Sequence, residues 1–346
     1  MSLLRAQPLD FDSTWATLSQ EVGRLVTDLT QGTVEEWITL HTYIYKLCTT
    51  KQGAMKVPLA DRLYFALKGM LQQFCTRVAE DLLRSHQQSR YACLSLYAFR
   101  WHRYCAGMQC VDRLFDYLNR YWIKTHSSSG LTPLDGVHAS VFDMGMAEWR
   151  EGVQCPKVTQ FLYEAIWKEI LAGRQGELAD FGLVKEVLQI YQQLGDRDGD
   201  EQSERSVYVT DFASPFVRHT YQFYLHEAED LMGQHDCSGY VTEAHGRISH
   251  ELQSATKYAA ADTIPLLCGA CEHAFIAQQA EPLQRYFEEL LCSEESREEL
   301  WRAFCLLRRV NGILDKGRRS FQDLVASSGS EAVGAFFEGE EGRGSR

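Results

Sequence analysis

Three groups of side chains in this 346-residue sequence have the types and spacing to do chemistry. Cys268, Cys271 and His273 make a CxxC followed by a nearby His, the opening of a zinc set. Structural zinc takes four ligands with deprotonated thiols, and no second ligand pair stands at finger-like spacing. The surrounding run LLCGACEHAFI reads instead as a small-residue helix packed against its neighbours. Asp196, Asp198 and Asp200 alternate like the start of a calcium loop, but Gly199 is out of register and no Glu occupies the twelfth position, so the run reads as solvated surface. His219 and His226 lie two helical turns apart and His245 and His250 five residues apart; neither pair forms HExxH. GxGxxG, P-loop and GxSxG elements are absent from the sequence. The expectation is a protein with no catalytic residues, no metal site and no cofactor.

Composition narrows the class further. Asp and Glu outnumber Lys and Arg by 47 to 35, a formal net charge of −12, which disfavours phosphate backbones and anionic membranes as partners. No window approaches the ~18 unbroken apolar residues of a membrane span, and the start, MSLLRAQPLDFD, is too short in apolar residues for a signal peptide. The eleven cysteines are scattered singly and odd in number, as expected of small apolar residues in a reducing compartment. With 45% hydrophobic residues the chain can bury a large core.

Helical periodicity must supply the elements. Asp12 reads as an N-cap before Trp15, Leu18, Val22, Leu25 and Leu29 on one helical face. Thr33 and Glu36 form a capping-box pattern that opens a second helix over about Val34–Thr50. Pro58 stands where a third helix would start, with Leu63, Leu67, Met70, Phe74, Val78 and Leu82 as its stripe. A fourth helix is expected over about His86–Cys105, and a fifth carries Val111, Leu114, Phe115, Leu118 and Trp122. Turn formers break the pattern at Lys124–Gly136, a charged run does so at Gly195–Ser206, and the apolar period is lost from Ser327 onward. Between them helices are expected near Asp135–Glu151, Lys157–Leu171, Leu183–Leu194, Phe212–Gln234, Ser238–Tyr258 and Asp262–Gln279, with a final helix or pair over Leu283–Val325. Strands find little support beyond clusters such as Val207–Val209. The fold class is all-α, built as stacked helical bundles.

The second helix stands out because its apolar residues occupy more than one side. Leu40, Ile44 and Leu47 suffice to dock it on its own bundle, while Trp37, Ile38, His41 and Tyr45 make a second, aromatic strip about 12 Å long. A helix apolar on two sides is either deeply buried or has a partner, and the strip alone leaves both open.

Longer motifs carry a resemblance. ITLHTYIYKLCTTK is similar to the second helix of cullins, and YLNRYWI, from Tyr117 to Ile123, resembles the end of the first cullin repeat. Val207–Glu229 is similar to the family's stretch FExxFLxxTxxYYxxES, with Ala213 for Glu, Val217 for Leu, Phe223-Tyr224 for the paired Tyr and Glu227-Ala228 for Glu-Ser. Tyr240–Glu251 follows YxxxAExRLxxE with His245 in place of its Glu. Four motifs in family order, over nearly the whole chain, identify the sequence as resembling the N-terminal, adaptor-binding half of a cullin.

The resemblance implies an elongated stalk of stacked five-helix repeats: a first repeat over residues 1–130, a second over 131–279, the opening of a third over 280–326 and a disordered tail over 327–346. It implies a non-catalytic scaffold of a cullin-RING ubiquitin ligase whose arm binds a Skp-type adaptor carrying F-box substrate receptors. TYIYKLCTT is the segment most like the cullins of that class. By family position the second helix offers Trp37, Ile38, His41, Thr42 and Tyr45 to the adaptor, and the fifth offers Asp112, Phe115, Asp116 and Asn119. Tyr121 and Trp122 are expected to pack the repeat core. No segment resembles the RING-binding region or the lysine that accepts the ubiquitin-like modifier, so a RING subunit is expected only through a region missing here. Cytoplasmic and nuclear localisation is expected. A short cullin-like regulator that sequesters adaptors, and a helical tethering rod sharing the bundle pattern by analogy alone, remain alternatives.

Overall fold

The computed structural model describes residues 10–29, 32–52, 57–86, 89–124, 139–195, 206–291, 297–314 and 326. The Asp196–Asp200 run, the break beyond Lys124 and the tail from 327 lie outside them. The described chain is all-α, apart from a two-residue antiparallel pairing of 51–52 with 57–58. It divides between Asp211 and Phe212 into two compact units.

In the first unit helix α1 spans Phe11–Asp28, α2 Val34–Thr49, α3 Leu59–His86 and α4 Arg90–Leu114. After a π-helical segment at Leu118–Ile123 come α5 (Val141–Gly152), α6 (Pro156–Arg174) and α7 (Phe181–Gly195). The N-cap of α1 is Asp10 rather than Asp12. Its carboxylate accepts the Ser13 N–H at 3.0 Å, which holds its pKa below the usual carboxylate value. The helix starts earlier than expected because Phe11 is already core, while Asp12 reaches out to Arg62 at 2.6 Å. Leu18, Val22 and Leu25 are buried as their spacing requires, and Leu29 closes the helix at φ 56° with its side chain exposed.

The expected boundary between a fourth and a fifth helix, between Cys105 and Val111, does not exist. Helix α4 runs unbroken for 25 residues through it. No proline or polar turn interrupts CAGMQC, and α1, α3, α5, α6 and α7 pack around α4, leaving exposed a narrow stripe that includes Phe99, His102, Gln109 and Arg113. Tyr97, Trp101, Tyr104, Met108 and Val111 are buried along its length, and Trp149 of α5 closes against Trp101 and Tyr104. The helix breaks only at Phe115 (φ −93°, ψ 18°).

The second unit contains α8 (Ser214–Gln234), α9 (Cys237–Ala255), α10 (Thr263–Glu272) with a π-helical continuation at His273–Ala277, α11 (Ala280–Leu291) and α12 (Arg297–Leu307). Its core holds Phe212, Phe216, Ile248 and Phe275. The Tyr224 hydroxyl donates to Glu251 at 2.7 Å, and that of Tyr240 to the Phe275 carbonyl at 2.6 Å. Among the described residues no helix is long and apolar enough to cross a membrane.

Helices α1 and α4 touch at Gly107, where an added Cβ would stand 2.5 Å from the Leu25 carbonyl oxygen and 2.7 Å from the Val26 Cα. Backbone cannot give way as a side chain can. Gly107→Ala should therefore lower stability by roughly 1–3 kcal/mol, despite alanine's better helix propensity, whereas Gly69→Ala, with open space around it, should be neutral or stabilising. Paired urea denaturation curves check the contrast.

Candidate functional site

Helix α2 begins on the expected capping box. The Glu36 N–H donates to Thr33 Oγ1 at 3.2 Å, and the Thr33 N–H donates to Glu36 Oε2 at 2.7 Å. Leu40, Ile44 and Leu47 are buried and dock the helix against α3, α4 and the π-helical segment. At roughly 1.5–3 kcal/mol for each fully buried aliphatic side chain, this face fixes the roll of the helix. The opposite flank is thereby turned outward. Val34 is 76% exposed, Ile38 60% and Tyr45 51%, too much for core residues. Trp37 and His41 are half-buried, with their rings edge to face at 5.6 Å. Thr42 is exposed and turns its hydroxyl back to the Ile38 carbonyl at 2.8 Å.

The π-helical segment extends this strip in a way the sequence reading missed. Tyr45 meets Tyr117 edge to face at 4.9 Å, and Tyr117 lies against Tyr121 at 4.5 Å, so three tyrosines continue the aromatic surface from one element to the other. Tyr121, expected in the core, is 59% exposed, while its neighbours Trp122 and Ile123 are buried. The Tyr117 hydroxyl is held above the usual phenol pKa, by desolvation first and by Tyr45 and Cys48 next. Burial pushes the nearby Cys48 thiol up to about 12, so neither group adds charge at neutral pH.

The residues carried over from the fifth helix behave differently from one another. Phe115 is fully buried and belongs to the core rather than the surface. Asp112 and Asn119 are clamped together at 2.8 Å. Asp112 also accepts the Phe142 N–H at 3.1 Å, and the Asn119 side-chain oxygen accepts the Val141 N–H at 2.9 Å. The pair thus caps the start of α5 alongside Ser140, whose hydroxyl accepts from the Asp143 N–H. Asp116, half-buried, pairs with Arg120 at 2.8 Å beside the tyrosines. The structure therefore brings Trp37, Ile38, His41, Thr42 and Tyr45 together on α2, with Asp116 beside Tyr117, and turns Phe115, Asp112 and Asn119 to internal work.

The cysteine–histidine cluster has local partners. Cys268 donates its thiol to Glu272 at 3.3 Å, Cys271 is buried, and the His273 ring lies against Tyr221. Among the described residues no group of three or more His, Cys, Asp and Glu side chains could hold a metal ion.

A family profile described as the cullin alpha solenoid domain matches residues 15–338. The chain is 25% identical over 97% of its length to Cullin-1 of Dictyostelium discoideum, and 23% identical over 87% to cell division control protein 53 of Saccharomyces cerevisiae. It is 24% identical over 88% of its length to Cullin-3A of Arabidopsis thaliana. These alignments cover 45%, 37% and 38% of the respective relatives, so the chain spans less than half the length of the curated proteins it matches. The chain belongs to the cullin family. The resemblance drawn from its motifs holds, and the reading as a rod related by analogy alone falls away.

Two variants separate the faces of α2. Leu40→Ala should cost roughly 2–5 kcal/mol of stability, because it empties a core position, whereas Trp37→Ala combined with Ile38→Ala should leave helical circular dichroism and the melting temperature nearly unchanged. A further variant tests the clamp. Asp112→Ala should cost about 1–3 kcal/mol, because the Phe142 N–H and the Asn119 amide lose their acceptor. Thermal and urea denaturation read all three.

Proposed function

We propose that the chain is the arm of a cullin-RING ubiquitin ligase scaffold and that the outer strip of α2, continued by Tyr117 and Tyr121, binds a Skp-type adaptor carrying F-box substrate receptors. One observation carries the reading: α2 buries Leu40, Ile44 and Leu47 on one side while Val34, Ile38 and Tyr45 stand exposed on the other. Large contiguous apolar surface on a folded chain marks an interaction site, and Trp and Tyr are the anchors that most often dominate interface energy. The choice of a Skp-type adaptor rests on the likeness of TYIYKLCTT to the cullins of that class.

The role is positional and not catalytic. An arm of helix packed on helix holds the receptor at a set distance from a RING subunit bound elsewhere on the scaffold, which raises the effective concentration of target lysines at the charged conjugating enzyme. The first repeat over 1–130 carries the site, and cytoplasm and nucleus are the compartments in which such a ligase would act.

Binding of a purified Skp-type adaptor, measured by isothermal titration calorimetry, tests the reading. Trp37→Ala with Ile38→Ala should weaken binding by about thirtyfold or more, the equivalent of ~2 kcal/mol. Tyr121→Ala should weaken it by a smaller factor, and Leu178→Ala, fully exposed on the loop between α6 and α7, should leave it unchanged. Unaltered affinity in the double variant would move the interface off α2.

A further inference from the structure

The π-helical segment Leu118–Ile123 gives its side chains different directions from those an α-helix would give. An α-helix turns about 100° per residue, and a π-turn, with one residue more in each turn, about 80°. Taking the buried Leu118 as the inward direction, an α-register would set Tyr121 at about 60° to one side and Trp122 at about 40° to the other, with Ile123 swung out to about 140°. The π-register sets Trp122 and Ile123 at about 40° on either side and swings Tyr121 out to about 120°. The second arrangement is the one observed, with Trp122 and Ile123 each 6% exposed and Tyr121 59%. The start of the segment is fixed, because Asn119 is held by Asp112 at 2.8 Å and by the Val141 N–H at 2.9 Å. A change of register therefore falls on the residues beyond it.

We propose that Ile123 is a positioning residue: by taking the inward place it holds the π-register and so presents Tyr121 at the surface. Adaptor affinity then depends on a buried side chain that does not touch the adaptor. Two side chains compete for that inward place. Ile123 brings apolar surface with no polar atom to satisfy, whereas Tyr121 would bring a hydroxyl that needs a partner in the core. Outside, Tyr121 keeps its hydroxyl near water and rests on Tyr117 at 4.5 Å. Trp122 is inward in both registers, packs against Tyr64 at 5.4 Å and does not decide between them. π-Turns are rare and concentrate at functional sites, and here the turn joins the end of a core helix to the aromatic strip. The consequence for adaptor affinity rests on the function proposed for that strip; the register itself does not.

Nitration of the full chain by tetranitromethane, mapped by peptide mass spectrometry, reads the register with no adaptor present. In the unaltered chain Tyr121 should nitrate as readily as the exposed Tyr91 and faster than the buried Tyr104. Ile123→Asn should slow Tyr121 about fivefold or more and leave Tyr91 unaffected, as the outward register loses population. Ile123→Val, which keeps a branched apolar side chain, should slow neither. Asparagine at a buried position can unfold the chain, so Ile123→Ala is read in parallel, with the same sign of effect and circular dichroism as the fold control. Against a purified Skp-type adaptor, Ile123→Asn should lose as much affinity as Tyr121→Ala, and adding it to Tyr121→Ala should lose no more. A protected Tyr121 in the unaltered chain, a Tyr121 rate indifferent to both Ile123→Asn and Ile123→Ala, or a further affinity loss in the Tyr121→Ala background would overturn the proposal. Nitration that responds as expected while no form of the chain binds the adaptor would sink the adaptor reading and leave the register standing.

Discussion

The docking of α2 through Leu40, Ile44 and Leu47 sets the terms for the functional reading of the chain. An α-helix turns about 100° per residue, so once these three side chains are in the core the direction of every other position follows. Ile38 and Tyr45 must face outward, and Glu36, Thr39 and Tyr43 must face α1. No other element needs to act on these side chains to expose them. An exposed Ile and Tyr are themselves unfavourable in water, and one packed face lets the helix carry them without loss of fold.

The second constraint is the π-helical segment that follows α4. A π-turn holds one residue more than an α-turn, which shifts every later side chain around the axis. Leu118, Trp122 and Ile123 take the inward places and Tyr121 is turned out, where it lies against Tyr117 and extends the strip of α2. The Asp112–Asn119 clamp spans the Phe115 break and fastens the start of α5 with the same polar atoms. Asp112 and Asn119, two of the residues carried over as contacts by family position, thus hold the platform in shape. The same holds in the second unit, where Tyr240 and Glu251, the ends of a family motif, are buried partners of Phe275 and Tyr224.

Much of this was legible from sequence, and the misses have physical causes. The capping box at Thr33 and Glu36, the inner face of α2 and the helices from Pro156 to Gln234 follow from local spacing and cap chemistry, and the structure places them as expected to within a few residues, whereas α5, expected from Asp135, starts at Val141 on its Ser140 cap. The continuity of α4 was not legible, because this helix, packed by five neighbours, exposes aromatic residues such as Tyr91 and Phe99 and partly buries Arg100 and Arg103, and that lack of amphipathic order reads as a boundary. Tyr121 was expected in the core together with Trp122, and sequence gives no warning of the π-turn that separates the two. Asp112, Phe115 and Asn119 show the limit of positional transfer: a family position says which helix turn a residue occupies, and only packing says which way its side chain points.

Hydrogen–deuterium exchange of the full chain, alone and saturated with a Skp-type adaptor, tests the central claim most directly. Slowed exchange should be confined to peptides covering 34–49 and 115–124, with α8 to α12 unchanged. Slowing in the second unit with none in α2 would contradict the assignment of the outer strip of α2 as the adaptor-binding surface.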